Sequence, residues 1–230
     1  MFFRGIILQE KGDTIAVSDL VHCQTCSMKY YFERNEPHTE SDRYTICKQL
    51  SYHLGNTLDA DAIWQEVLAV CPGIDPEQRS FLCTCITKCA NTDWRPAVQT
   101  DVKVISKKHG IVGMVDRIMA DGMFSVIRAA GAMPFGTYAA DRLRIAAYAL
   151  CLEEMTGEGV DGGFVEYIPD GVSRHHMVQP RDRRQLLATL HTVRSIRHGT
   201  VPHHPLNAPC NRCRHKERCE NSGHRLSELL

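Results

Sequence analysis

The sequence predicts a mixed α/β (α+β) fold in which a central β-sheet is flanked by helices. Apolar residues recur at helical spacing near both ends of the chain, and strand-like runs occupy its middle. Two sets of turn residues, Asp121-Gly122 and Pro169-Asp170-Gly171, separate such runs and predict hairpins. The length of 230 residues and the apolar content of 43% fit a single domain, 1–230, with a sizeable core.

The first 90 residues are predicted to be mainly helical. Residues 5–17 alternate weakly and are compatible with a hairpin, and Ser18 is a candidate N-cap for the helix that follows. Helices are predicted over 45–71 and 76–90 from their apolar periodicity. The pair Pro72-Gly73 marks the break between these two helices.

Strands and helices alternate from residue 97 onwards. The predicted elements are strands over 97–106, 110–120 and 123–128, a helix over 137–154, strands over 163–168 and 172–178, and a helix over 181–198. Gly199, directly after the last helix, is a suitable C-cap. A short cysteine-rich segment then ends the chain.

The formal net charge is zero, but the charge is unevenly distributed. Residues 171–230 hold eleven Lys/Arg against four Asp/Glu, whereas the first 170 residues hold sixteen against twenty-three. A basic C-terminal third is compatible with a phosphate-bearing partner such as DNA, and equally with a solvated basic face. No run of about 18 apolar residues and no signal-like start are present, so we expect a cytoplasmic protein without a membrane partner.

Cysteines at both ends of the chain predict one metal site. Cys210, Cys213 and Cys219 have two and five residues between them, and Cys26 lies near the other terminus. The intervening residues are polar, which disfavours simple burial of these thiols. Four thiolates suit an iron–sulfur cluster or a zinc ion, and the odd total of eleven cysteines disfavours a disulfide framework.

A second cysteine group lies at Cys83, Cys85 and Cys89 on a predicted helix. Cys85 and Cys89 are one turn apart and share a helix face. No fourth ligand lies nearby in the sequence, so we interpret these residues as core cysteines. A second metal site is the alternative.

Five landmarks occur in an order that resembles a known nuclease family. Four of them are the segment Lys29–Glu33 after Cys26, Gly113-Met-Val-Asp116, Pro134-Phe-Gly-Thr-Tyr138 and the run Asp141–Tyr148. With the C-terminal cysteines they resemble the RecB-like PD-(D/E)xK nucleases, specifically the CRISPR-associated iron–sulfur exonucleases of spacer acquisition. The resemblance implies a restriction-endonuclease-like core and an iron–sulfur lobe built from about 18–35 and 200–222.

The resemblance also implies the identity of the cofactor and its ligands. The implied group is a 4Fe-4S cluster, with zinc as the alternative. Its ligands are Cys26, Cys210, Cys213 and Cys219, and Cys23 competes with Cys26 for the first position.

In this chain, the residues at the positions of the family's active centre depart from the family's pattern. The family uses a divalent metal held by two carboxylates, together with a lysine. Asp116 matches the first carboxylate, whereas the second carboxylate falls on Arg128 and the lysine on Ala130. Two other family positions, a histidine and a glutamine, fall on Asp59 and Arg144, and the family's tyrosine is kept as Tyr148.

These substitutions predict that the fold persists while metal-dependent cleavage is lost. A guanidinium cannot ligate a metal, and we expect Arg128 to form an ion pair with Asp116. Arg128, Arg142 and Arg144 are then candidates to bind the phosphate backbone of DNA, as single strands or ends. Alternatively, they form structural pairs with Asp116 and Asp141.

Two other functions stay open at this point. A rearranged acidic site of Asp59, Asp101 and Asp116, with a lysine such as Lys103, would restore a Mg- or Mn-dependent DNA exonuclease of spacer acquisition or DNA repair. A complex-forming subunit would instead use the basic C-terminal third to bind protein partners.

Overall fold

Six strands form one mixed sheet in the computed structural model, which describes residues 14–37, 40–205, 208 and 210–222. The strands are β1 (Ile15–Ala16), β2 (Ala97–Ser106), β3 (Ile111–Met119), β4 (Phe124–Arg128), β5 (Gly162–Tyr167) and β6 (Val172–Met177). The helices are α1 (Val17–Thr25), α2 (Ser27–Glu33), α3 (Asp42–Ser51), α4 (Ala60–Val70), α5 (Arg79–Cys89), α6 (Ala139–Thr156), α7 (Pro180–Arg197) and α8 (Lys216–Ser222). This architecture confirms the predicted mixed fold class.

The sheet has an opening in the middle of β3. Strand β2 pairs antiparallel with β3 from Ser106↔Ile111 to Ala97↔Met119 and so occupies one edge of it. The other edge pairs with β1 at residues 111–112 and with β4 at residues 117–118. Within the described residues, positions 113–116 therefore have no strand partner on that edge.

The remaining pairings complete the order β1-β3-β4-β5-β6. Strands β4 and β5 are parallel and are joined by a crossover through α6, whereas β5 and β6 form an antiparallel hairpin. A parallel pair needs such a crossover, whereas the antiparallel pair closes through the turn at Gly171.

Two apolar clusters hold the helices against the sheet. The larger cluster joins α1, α6 and α7 to strand residues such as Val115 and Val126. The smaller cluster joins α3, α4 and α5 to Ile127. Cys85 and Cys89 are fully buried in the smaller cluster, which confirms that they are core cysteines, whereas Cys83 is exposed.

The prediction of one continuous helix over 45–71 is wrong, because residues 52–59 are not helical. Gly55 has a φ of +89°, and a Cβ there would lie 2.8 Å from the backbone nitrogen of Pro96. Asp59 then begins α4 as its N-cap, because its carboxylate accepts from the backbone N–H groups of Asp61 and Ala62.

The start of the described chain also differs from expectation. Helix α1 begins at Val17 after Ala16, so Ser18 is not its N-cap. Residues 15–16 form a short parallel strand beside β3 rather than part of a hairpin, and residues 5–13 of the predicted hairpin lie outside the described residues. No helix in the described part of the chain is both long and apolar enough to cross a bilayer.

Candidate active site and cysteine cavity

A cleft of about 910 Å³ opens beside the unpaired stretch of β3. Its walls come from the start of α1, from α3, from β2, β3 and β4, and from α6. Five of the six residues expected at the active centre line it, namely Asp116, Arg128, Ala130, Arg144 and Tyr148. The opening in the sheet therefore brings together side chains that are far apart in the sequence.

Asp116 is paired with Lys48, a residue that the sequence analysis did not select. The Lys48 ammonium Nζ lies 2.5 Å from Asp116 Oδ1 and also 2.5 Å from Asp101 Oδ1. The second oxygen of Asp116 accepts a hydrogen bond from the backbone N–H of Ile127 at 2.7 Å. Asp116 thus has both carboxylate oxygens occupied by protein donors.

Asp101 reaches this site through an unusual backbone conformation. Thr100 pairs with Arg117 and Val102 with Val115, so Asp101 lies opposite Asp116 across the two strands. Its φ is +53°, which is strained for a residue other than glycine. Its carboxylate also accepts from the hydroxyl of Tyr52 at 2.6 Å.

The environment keeps Lys48 charged. Burial would lower the pKa of the Lys48 ammonium, but the carboxylates of Asp116 and Asp101 outweigh burial and raise this pKa above its usual value. The Lys48 side chain is only 13% exposed. The Lys48 side chain therefore stays a charged ammonium between the two carboxylates at neutral pH.

Arg128 does not contact Asp116 as expected, so that prediction is wrong. Its Nε lies 2.8 Å from Oδ1 of Asp141, a fully buried carboxylate, and Arg144 Nη1 lies 2.9 Å from the same oxygen. The Tyr167 hydroxyl donates to the other oxygen of Asp141 at 2.9 Å. The alternative of a structural pair with Asp141 is the one that the geometry supports.

Tyr148 forms part of the cleft one helical turn beyond Arg144. Its ring fits closely over Gly113, because a Cβ at Gly113 would lie 2.5 Å from Tyr148 Cε1. Burial is the main cause that raises the pKa of Tyr148 to about 12, so its hydroxyl stays protonated at neutral pH. The glycine of the Gly113–Asp116 segment is therefore explained by packing against this ring.

Three residues considered for the site lie elsewhere. Asp59 caps α4 and is exposed, outside the residues that line the cleft. Arg142 donates to the carbonyl of Thr137 at 2.9 Å and lines a separate cavity of about 220 Å³. Lys103 is exposed on β2 and does not line the cleft either. These three positions were misplaced because sequence order does not show which way a side chain points.

One signal in the sequence does indicate Lys48. Tyr44, Lys48 and Tyr52 follow one another at intervals of four residues, and all three line the cleft. Residues at this spacing share one face of a helix. A stripe of hydroxyl and ammonium groups on a helix that otherwise buries apolar residues would have identified this face.

The cysteine residues near the two ends of the chain meet at a second cavity of about 440 Å³. Its lining includes Cys26, Cys210, Cys213 and Cys219, together with His204 and His215. Cys26 is the N-cap of α2, and its sulfur accepts from the backbone N–H of Lys29. Glu33 in the same helix accepts from Arg214 and lies 3.0 Å from His215 Nε2, which links the two ends of the chain.

Cys23 lies apart from this cavity. It is 5% exposed, packs in the larger apolar cluster and is absent from the described lining. Burial and the nearby Cys26 raise the pKa of Cys23 to about 12, which keeps it a protonated thiol. Burial, followed by Cys26, Cys210 and Cys213, also raises the pKa of Cys219.

The donor groups at the two sites suit different kinds of metal. Asp116 and Asp101 offer the hard oxygen ligands that Mg²⁺ and Mn²⁺ prefer, and the four cysteines offer soft sulfur ligands. Among the described residues, no three His, Cys, Asp or Glu side chains lie close enough together to hold a single metal ion. The four cysteines thus have the sulfur chemistry that an iron–sulfur cluster or zinc needs, whereas Asp116 and Asp101 already share the Lys48 ammonium.

Comparison with known proteins shows the fold. No protein-family model matches the chain, and no curated protein sequence matches it. A crystal structure described as that of a "Putative exonuclease" from Eubacterium rectale is similar, with a TM-score of 0.61 and 11% identity over 93% of this chain and 94% of that one. The protein therefore has an exonuclease-like fold over almost its whole length.

Proposed function

We propose that this protein binds DNA with the cleft of a nuclease fold, that a 4Fe-4S cluster joins its two ends, and that metal-dependent cleavage has been lost. The proposal depends most on the position of Lys48, whose ammonium lies 2.5 Å from both Asp116 and Asp101. The resemblance to spacer-acquisition exonucleases makes single strands and DNA ends the expected ligands.

The charge balance around Lys48 disfavours a divalent metal. Two carboxylates alone would present two negative charges, and the ammonium reduces this to one. A divalent ion would have to displace a cation that already contacts both carboxylates. Arg128 stands where the family has its second carboxylate and Ala130 where it has its lysine, so β4 supplies neither a ligand nor an ammonium.

The arginines beside this site favour a phosphate ligand. Arg128 and Arg144 share the single carboxylate of Asp141, which leaves one positive charge uncompensated within that group. Both side chains keep some exposure, 27% for Arg128 and 17% for Arg144, and both line the cleft. Guanidinium groups bind phosphate oxygens in a bidentate manner.

The salt dependence of DNA binding tests this part of the proposal. We expect Arg128→Gln and Arg144→Gln each to weaken binding of a short single strand and to reduce the slope of log K against log salt by about one. Arg142→Gln is the matched control, because Arg142 lies outside the cleft on the same helix as Arg144. Equal effects of all three variants, or none, would exclude the cleft as the DNA site.

Four cysteines around one cavity support a cluster with several irons. In a zinc site all four sulfurs contact one ion at about 2.3 Å, whereas in an iron–sulfur cluster each thiolate binds a different iron and the thiolates stand farther apart. The four cysteines line one cavity, and the resemblance to iron–sulfur exonucleases makes the cluster its expected occupant. A cluster held from both ends would add its binding free energy to folding.

Anaerobic purification tests the cluster. We expect bound iron, labile sulfide and visible absorption in the wild-type protein, all lost in Cys26→Ser and Cys210→Ser. Cys83→Ser is a control at an exposed cysteine, and Cys23→Ser separates the two candidates for the first ligand. Bound zinc without visible absorption would favour the alternative.

A second function, an active Mg- or Mn-dependent exonuclease, is favoured by one observation. Asp101 adopts a φ of +53° and lies beside Asp116, so a second carboxylate is present, although from β2 and not β4. Asp101 and Asp116 would hold the ion, which would supply positive charge and an activated water. Lys48 would then hold a phosphate oxygen of the substrate.

Degradation of an end-labelled single strand in Mn²⁺ distinguishes the two functions. Under the favoured proposal, wild-type protein binds the strand and leaves it intact. Cleavage that Asp101→Ala and Asp116→Ala both abolish would establish the second function. Cleavage that survives Asp116→Ala would point to a contaminating nuclease.

A further inference from the structure

The loop between β4 and α6 begins in the wall of the cleft. Its first residues, Ala129 and Ala130, line the cleft, and α6 returns the chain there at Arg144. Between these points the phenyl ring of Phe135 is 89% exposed. Five residues of extended chain span at most roughly 17 Å, so this ring lies within a few nucleotides of the cleft.

Exposed aromatic rings are concentrated in this loop. Among the phenylalanine, tyrosine and tryptophan residues that the structure describes, only Phe135 and Tyr138 are exposed. Single exposed apolar residues are common on protein surfaces. Both rings lie on one loop, and this loop starts in the cleft that Arg128 and Arg144 line.

The backbone on both sides of Phe135 is held in place. Arg174 donates to the carbonyls of Pro134 and Gly136, the two neighbours of Phe135 in the sequence. Pro134 has a restricted φ, and Gly136 adopts a φ of +67°, which a glycine reaches without strain. The ring is therefore presented by an ordered turn.

Two further bonds hold the first half of the loop. A carboxylate oxygen of Asp170 accepts from the backbone N–H of Ala132 at 2.7 Å, and the Tyr138 hydroxyl donates to the carbonyl of Gly131 at 3.2 Å. Tyr138 also packs against Tyr167, with ring centroids 6.1 Å apart. Tyr138 thus braces the loop, whereas the Phe135 ring is left to contact a ligand.

We propose that Phe135 stacks on an unpaired base of a single strand whose phosphate backbone lies in the cleft. This inference rests on the proposed DNA binding. Every base presents a flat π-face to such a ring, so stacking adds affinity without a sequence preference. An ordered loop adds affinity because little conformational entropy is lost on binding.

The shape of the loop favours a base over a protein partner. A stable protein interface buries about 800 Å² on each side. Here one ring projects between a proline and a glycine, and the guanidinium of Arg174 lies against the same turn. Proteins that bind single-stranded nucleic acid combine cationic groups along the backbone with aromatic rings that stack on bases.

Equilibrium binding of a short single strand tests the role of the ring. We expect Phe135→Ala to weaken binding about tenfold, Phe135→Leu to behave like Phe135→Ala, and Phe135→Trp to bind at least as tightly as wild type. Leu187→Ala on α7, which removes another exposed apolar side chain, should leave affinity unchanged. Because Phe135 is exposed, all variants should keep the thermal midpoint of the wild type.

An abasic position scanned along the strand identifies the stacked base. At one position the abasic site should weaken wild-type binding about tenfold and should leave Phe135→Ala unaffected. The stacking proposal would be overturned if Phe135→Ala bound the strand as tightly as wild type. It would also be overturned if Phe135→Ala and every abasic position weakened binding additively. In both cases the proposed DNA binding would still stand. Failure of the wild-type protein to bind at low salt would overturn both.

Discussion

Two consecutive residues of β3 belong to ion pairs of opposite character. Asp116 faces the cleft, where it contacts Lys48, and Arg117 contacts Glu166 in the interior. The side chains of Arg117 and Glu166 are 0% and 3% exposed, whereas Asp101, the third member of the cleft group, is 39% exposed. Successive residues of a strand point to opposite faces, which places the two pairs in different surroundings.

The difference shows which charges are available for function. Arg117 is bound by Glu166 at 2.6 Å and donates to the carbonyls of Leu54 and Arg95, so it connects the sheet to the segments around it. Burial raises the pKa of Glu166, and Arg117 opposes this effect. The Lys48 group has similar distances but borders an open cleft, where a ligand can reach it.

Breaking the closed pair should have the largest effect. Arg117→Met leaves the Glu166 carboxylate buried without its charged partner, and we expect the free energy of unfolding to fall by about 3–5 kcal/mol. Chemical denaturation followed by circular dichroism measures this change. The double variant with Glu166→Met should recover most of the lost stability. If Arg117→Met alone cost less stability than an average surface substitution, this interpretation would be contradicted.

Adding a methyl group at Gly113, beside the Tyr148 ring, should have the next largest effect on stability. Gly113→Ala places a Cβ 2.5 Å from Tyr148 Cε1 and 3.0 Å from Val17 Cγ2, so we expect a loss of about 1–3 kcal/mol. Thermal unfolding measures it. Gly73→Ala, where a Cβ would have open space, is the control and should change stability little.

Removing the cation of the open group should have a smaller effect on stability and a distinctive one on metal binding. Lys48→Ala leaves Asp101 and Asp116 facing each other, and we expect a loss of about 1 kcal/mol at neutral pH. Mn²⁺ should restore stability to this variant, by about 2.7 kcal/mol at a hundredfold excess over its dissociation constant. Calorimetric titration and thermal shift measure both.

The wild-type protein and Lys48→Arg are the controls for this prediction. Both keep a cation between the carboxylates, so Mn²⁺ should stabilise them little. Equal stabilisation of wild type and Lys48→Ala by Mn²⁺ would show that Lys48 does not exclude the metal, and would favour the active exonuclease.

Breaking the partly exposed ion pair of Arg183 and Glu153 should have the smallest effect on stability. Arg183 donates two hydrogen bonds to Glu153, and these bonds are the main cause that lowers the pKa of Glu153 below its usual value of 4.5. The stabilisation is therefore present above pH 4.5 and is lost as pH falls through the lower folded-state pKa. We expect this pair to add about 0.5 kcal/mol to the free energy of unfolding in wild type and nothing in Glu153→Gln. Unfolding curves recorded across this pH range measure the difference.

Local sequence patterns predicted most of the elements correctly. Strand β2 was placed at its observed bounds, and β3 to β6, α6 and α7 were placed within a few residues. The 45–71 helix was wrong because the left-handed turn at Gly55 interrupts a favourable apolar pattern. Periodicity reports which faces are apolar, and it does not report where a turn forms between two helices.

The candidate site was predictable in part. Asp116, Arg144 and Tyr148 line one cleft, and each lies on a regular element at a recognisable spacing. The partner of Asp116 was missed, since Lys48 is 68 residues away in the chain and comes from a helix that no strand pattern connects to β3. Arg128 was assigned to Asp116 although the buried Asp141 binds it more closely.

The amino-acid sequence by itself determined the order of the elements and the alternation of residues across each strand, because these follow from local composition and spacing. The tertiary structure decided which cation meets Asp116, which carboxylate receives Arg128, and which cysteines share a cavity. Such partners are selected by the opening in the sheet and by helix packing, and both depend on contacts between residues far apart in the chain.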